Sequence, residues 1–125
     1  MMFDICIDVD DVDRAAEFYR RGLGLKIEER HAEWAKAMIG EQTMWIMKIP
    51  AGRDGTIVRD YGRHWTPMHL DLVIDNADIE GAVRRALDAG GTLDREIKRN
   101  PDGSGIANLS DPAGNGIDLV WRKTV

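Results

Sequence analysis

The strongest constraint on the fold of this chain is an internal repeat. Sliding the sequence by 65 residues lays Asp4 on His69, Ile5 on Leu70, Ile7 on Leu72 and Val9 on Ile74. Asp10 and Asp13 then fall on Asp75 and Asp78. In each copy apolar and polar residues first alternate. In the first copy Ile5, Ile7 and Val9 alternate with Asp4, Cys6 and Asp8, and in the second Leu70, Leu72 and Ile74 alternate with His69, Asp71 and Val73. A period of two marks a strand with one apolar face. A helical period follows each strand. Val12, Ala15, Ala16, Tyr19 and Leu23 share one face of a helix over about Val12 to Arg21, with Asp10 or Asp11 as its cap. Ile79, Ala82, Val83, Ala86 and Leu87 do the same over about Ile79 to Ala89, with its cap in Asp75-Asn76-Ala77-Asp78. Gly22 and Gly24 end the first helix, and Gly90-Gly91 the second.

Three strand candidates then recur in each copy. They are Lys26 to His31, Trp34 to Ile39 and Thr43 to Ile49, then Leu93 to Lys98, Ile106 to Ser110 and Ile117 to Trp121. The order is βαβββ twice. Residues 1–52 form the first module and 67–125 the second, with 53–66 as a linker and all three in one domain. A strand with one apolar face needs a helix behind it. The expected fold is therefore α+β, with helices outside a curved eight-stranded sheet whose other face forms a concave ligand cup. From the first strands Asp4, Cys6, Asp8, His69, Asp71 and Val73 point toward that cup.

Composition narrows the function classes. The formal net charge is -5 and no run of Lys and Arg is present, which argues against a nucleic-acid partner. Cys6 is the only cysteine, so neither an internal disulfide nor a thiolate zinc site can form. No stretch approaches the roughly 18 apolar residues of a membrane span. The N-terminal MMFDICIDVDD is too acidic for a signal peptide, and a cytoplasmic location is expected.

Two stretches carry a family resemblance. DVDDVDRAAEFYRRGLGL, with Phe18-Tyr19 and Leu23-Gly24-Leu25, resembles the first-module signature of the vicinal oxygen chelate superfamily. NLSDPAGNGIDLV, with Asp111 to Gly116, is similar to its last hairpin turn, and HLDLVIDNADIEGAVRRALDAGG to the start of its second module. That superfamily includes glyoxalase I, bleomycin resistance proteins, fosfomycin resistance enzymes and extradiol dioxygenases. The resemblance implies a small-molecule cup and a homodimer, in which some members build each cup from two chains. It also implies metal ligands on the first and last strand of each module. Transferred to this chain, those positions give Asp4, His69 and Asp118. At the fourth position stand Met44, Trp45 and Ile46, none of which suits a hard divalent metal, and Glu41 comes too early. The four-ligand glyoxalase site is broken.

Two readings follow. The leading one is a binding protein without a cofactor, similar to bleomycin resistance proteins, that sequesters a small aromatic or cationic organic ligand. Trp45, Trp65, His69, Asp4, Asp118 and Asp8 would contact that ligand, because aromatic walls beside acids suit planar cations. The alternative is a metal-dependent lyase, isomerase or dioxygenase. Asp4, His69 and Asp118 would hold Fe, Mn, Zn or Mg in it. His31 and His64 read as hydrogen-bonding histidines, with His64 nearer the ligand. Tyr61 is a further possible donor, Arg84-Arg85 face solvent, and Asn100 to Gly105 form a loop that could border the cup.

Overall fold

The computed structural model describes residues 1–54, 57–75 and 78–122. The first strand, β1 (Ile5–Val9), buries Val9 fully and Ile5 and Ile7 partly against the core, and leads directly into helix α1 (Val12–Glu17). Asp11 caps that helix by accepting from the Arg14 backbone N–H at 3.1 Å. The helix does not run on regularly to Arg21. It widens into a π-helical turn over Phe18–Gly22, which turns Phe18 and Tyr19 fully inward. Three strands follow, β2 (Lys26–Arg30), β3 (Trp34–Ile39) and β4 (Gln42–Lys48). The linker is not featureless: it holds a short hairpin of β5 (Gly52–Asp54) and β6 (Ile57–Arg59).

The second module repeats the plan with β7 (His69–Ile74) and α2 (Ile79–Asp88). Asp78 caps α2 by accepting from Gly81 N–H at 2.9 Å; Asn76 and Ala77 of the expected cap segment lie outside the described residues. The caps fall on Asp11 and Asp78, so the second strand-to-helix loop is longer than the alignment of Asp13 with Asp78 implies. The strand expected over Leu93 to Lys98 is split. β8 (Thr92–Leu93) and β9 (Lys98–Arg99) each pair with β10 (Gly105–Ser110), and the ladder is interrupted after Asp94, whose backbone N–H still donates to the Asn108 carbonyl at 2.9 Å. The Asp94 side chain accepts from the Trp65 indole N–H. β11 (Gly116–Trp121) completes the module.

The strands do not form one continuous eight-stranded sheet. They form two mixed sheets, in the orders β1-β4-β3-β2 and β7-β11-β10-β8, with β9 beside β10. In each, the first strand pairs in parallel with the last. β1 and β7 therefore stand at sheet edges. No ladder joins them among the described residues, because the modules meet elsewhere. The π-helical turn packs against α2, Tyr19 donates to Asp111 at 2.7 Å, and Asn115 donates to the Asp8 carbonyl at 3.0 Å. One core runs through both halves, from Val9, Ala15 and Met44 to Val83, Leu109 and Trp121.

On the surface, Glu17 ties α1 to β2. It accepts from Arg20 at 3.0 Å and from Arg30 at 2.8 Å. Arg20 first, and then Arg30, hold its carboxyl down at about 2. A lowered folded-state value stabilises at neutral pH and loses that contribution in acid. The gap in urea midpoint between the native chain and Glu17→Gln is therefore expected to close as pH falls from about 4.5 to about 2.

Candidate functional site

Strand alternation gives each sheet an outer face opposite the helices. On the second sheet that face is built in rows. His69, Gly116 and Ser110 form the first, since Gly116 pairs with both of the others. Asp71, Asp118 and Asn108 form the next, and Val73, Val120 and Ile106 the third. His69 and Asp71 share the face because they stand two residues apart on β7. His69 Nε2 lies 3.2 Å from Asp71 Oδ1 and 3.3 Å from Asp118 Oδ2. Asn108 Nδ2 holds the other Asp118 oxygen at 2.5 Å. Burial pushes the Asp118 carboxyl above its ordinary value, and Asp71 pushes it the same way. Asn108 and His69 pull it back.

The first sheet presents different chemistry. Cys6, Trp45 and Lys36 form one row of its outer face, and Asp8, Met47 and Trp34 the next. The Trp34 and Trp45 rings meet edge to face at 5.6 Å. Trp45 Nε1 donates to Asp4 at 2.9 Å, and Lys36 Nζ stands 5.7 Å from the Trp45 ring. Asp8 pairs with Arg59 of the linker hairpin. This face is aromatic and half-buried, flanked by the acids Asp4 and Asp8 and by the cations Lys36 and Arg59.

A cleft of about 690 Å³ runs between the edges of the two sheets. Cys6 and Asp8 reach it from the first sheet, His69 and Gly116 from the second, and Tyr61, Arg63 and Thr66 from the linker. Trp65 crosses the top of the second sheet. Its ring lies 5.1 Å from His69, its Nε1 donates to Asp94 at 2.9 Å, and its backbone N–H donates to the Gly114 carbonyl at 2.9 Å. His64 beside it shares a 2.9 Å hydrogen bond with the buried Ser110 hydroxyl.

All six expected site residues thus belong to the outer faces or their rims, but not to one cluster. Asp4 belongs to the aromatic first sheet, bonded to Trp45. His69 and Asp118 are together on the second, and the residue beside them is Asp71. Among the described residues, His69, Asp71 and Asp118 bring ligand atoms within 4.8 Å of one another. One imidazole and two carboxylates fit a divalent Mn, Fe or Zn ion. Sequence parity places Asp71 on the cup face but does not single it out as a ligand. Asn108 and Asp94 carry no sequence signal, because only the pairing of β10 and the break before β9 bring them there. Trp34 is legible as a strand residue and becomes a site residue through its contact with Trp45.

Among the described residues, no helix is long and apolar enough to cross a membrane. No curated protein matches the chain by sequence. Solved structures do. A glyoxalase-related enzyme from Fulvimarina pelagi matches with a TM-score of 0.73 at 19% identity, over 98% of this chain and 89% of that one. A glyoxalase/bleomycin resistance protein from Albidiferax ferrireducens T118 matches at 0.69 and 20%, over 98% and 100%. The genomically encoded fosfomycin resistance protein FosX from Listeria monocytogenes matches at 0.75 and 13%, over 100% and 93%. At such identities these likenesses establish the fold alone. The family described as glyoxalase-like domain matches residues 4–120, almost the whole chain, and this protein belongs to that family.

Proposed function

We propose that the protein binds and sequesters a small aromatic cation. The observation that carries this reading is the outer face of the first sheet. There Trp34 and Trp45 meet at 5.6 Å, and Asp4 fixes the Trp45 indole. Aromatic faces attract planar rings, and nearby carboxylates attract positive charge. Asp8 and His69 line the adjoining cleft, while Asp71 and Asp118 extend the acidic surface on the second sheet. Trp45 supplies apolar bulk on the outer face where a fourth metal ligand would stand, while Met44 and Ile46 turn into the core. The exposed thiol of Cys6 suits a reducing cytoplasm. The open edges of β1 and β7, with Phe3 74% and Met68 83% exposed, support a homodimer.

Tryptophan fluorescence titrated with a planar aromatic cation, with and without chelator, tests the reading. Chelator-independent quenching is expected. Trp45→Ala should weaken binding by about 1 kcal/mol or more, through loss of stacking. Binding that the chelator abolishes would overturn it.

A second reading rests on the His69, Asp71 and Asp118 cluster: a metal-dependent lyase, isomerase or dioxygenase. His69 Nε2, Asp71 Oδ1 and Asp118 Oδ2 would hold the ion, with Asn108 orienting Asp118. A bound divalent ion supplies Lewis acidity toward neighbouring substrate oxygens. Elemental analysis of the purified protein separates the readings. The leading one expects no stoichiometric metal; the second expects metal that His69→Ala removes.

A further inference from the structure

Trp65 has an unusual backbone conformation. It is the one non-glycine residue with positive φ among those described, at +60°. That conformation is strained for a bulky side chain, so the surroundings must hold it. They do so in four ways. The Trp65 amide is tied to Gly114, and the indole nitrogen is tied to Asp94. The ring itself occupies a slot that exists because residue 116 has no side chain. A Cβ on Gly116 would lie 2.6 Å from the indole. His64, bonded to Ser110, fixes the preceding residue. The linker therefore ends in a clamped wall, with the indole 5.1 Å from His69.

The opposite end of the same face is open and apolar. Val73, Val120 and Ile106 lie side by side there, and Val73 is 55% exposed. Between wall and apolar row stand Asp71, Asp118 and Asn108. The face is thus polarised along its strands: closed and polar at one end, open and apolar at the other.

We propose that Trp65 sets the size of the ligand's polar end, so that the second sheet holds an amphipathic molecule with a compact head beside His69 and its apolar body across Val73, Val120 and Ile106. That the head is cationic rests on the reading given above. The body lies on β-branched side chains and so makes non-directional apolar contact, which grows with chain length. The head meets a rigid ring and so has a size limit.

The test compares hexylammonium with hexyltriethylammonium, and butylammonium with hexylammonium, by calorimetry on the full chain. The native protein is expected to favour hexylammonium over its triethyl form by about tenfold or more, the order set by overfilling a packed site. Trp65→Ala should bring that ratio toward one. Gly116→Ala keeps the indole but displaces it, and should do the same, so that a folding defect in one variant leaves the other to report. Each added methylene should tighten binding about threefold to fourfold, and Val73→Ser should reduce that increment. An unchanged head-size ratio in both variants overturns the proposal, as does a native chain that binds neither ammonium ion. Failure of the aromatic cation to quench tryptophan fluorescence is a separate result, and it removes the cationic reading instead.

Discussion

Asp111→Ala is expected to lower the free energy of unfolding by about 3 to 5 kcal/mol, as for a broken buried polar network. Asp111 is 1% exposed and accepts four hydrogen bonds. They come from the Tyr19 hydroxyl at 2.7 Å, Ala113 N–H at 2.8 Å, Asn115 N–H at 2.9 Å and Asn115 Nδ2 at 3.0 Å. Burial pushes its carboxyl up, and these donors work against that. Alanine would leave the buried Tyr19 hydroxyl and two turn amides without their acceptor. The loss also crosses modules, because Tyr19 belongs to the first and Asp111 to the second. Tyr19→Phe removes one donor and leaves the turn its acceptor, so a smaller loss of about 1 to 2 kcal/mol is expected. Urea unfolding of both variants checks the order. A cost for Asp111→Ala below that for Tyr19→Phe would mean the turn holds itself without the carboxylate.

The second large effect is at Phe18, where alanine should cost about 3 to 5 kcal/mol. Phe18 is fully buried and meets Tyr19 edge to face at 5.1 Å. Its ring reaches so close to Gly91 that a Cβ there would lie 2.5 Å away. Truncation opens a cavity between the π-helical turn and the end of α2. Rigid backbone on both sides limits collapse into it, and residual cavity volume adds to the transfer cost. Gly91→Ala attacks the same contact from the other side by overfilling it. Thermal and urea unfolding should show both variants destabilised, with Phe18→Ala the worse. Phe18→Leu should recover most of the loss, since volume-conserving apolar changes are tolerated best.

The alternation in ICIDV and HLDLVI was enough to orient both first strands, because one buried face fixes register. The helical spacing after each gave the helices and the duplicated order. Three features were not legible. The π-helical turn has the same apolar spacing as a regular helix; only the demand to bury both Phe18 and Tyr19 distinguishes it. Leu93 to Lys98 reads as one strand, because nothing in its composition shows that Asp94 is drawn to Trp65. The separation of the sheets is a packing outcome: Phe18, Tyr19 and Gly22 fit α2 and the Asp111 turn, and that fit sets the modules apart. For the site, parity put Asp4, Asp8, His69 and Asp71 on outer faces. Parity does not tell which face meets which; the family resemblance groups Asp4 with His69, whereas Asp4 accepts from the Trp45 indole. The role of Asn108 depends on its register against Asp118, which pairing alone decides.

The parallel ladders have a consequence for how the chain is made. β1 binds β4, and β7 binds β11, so each module's opening strand pairs with its closing one. The hairpins β3–β4 and β10–β11 close over short turns and are expected to form early. The opening strand has no partner until the hairpin is complete. During synthesis each opening strand is made before its partner, and Ile5 to Val9 waits unpaired until Met44 to Lys48 follow it. The acids Asp4 and Asp8, interleaved with its isoleucines, then have a task apart from any ligand. They keep the nascent strand from pairing with the wrong chain before its own partner exists.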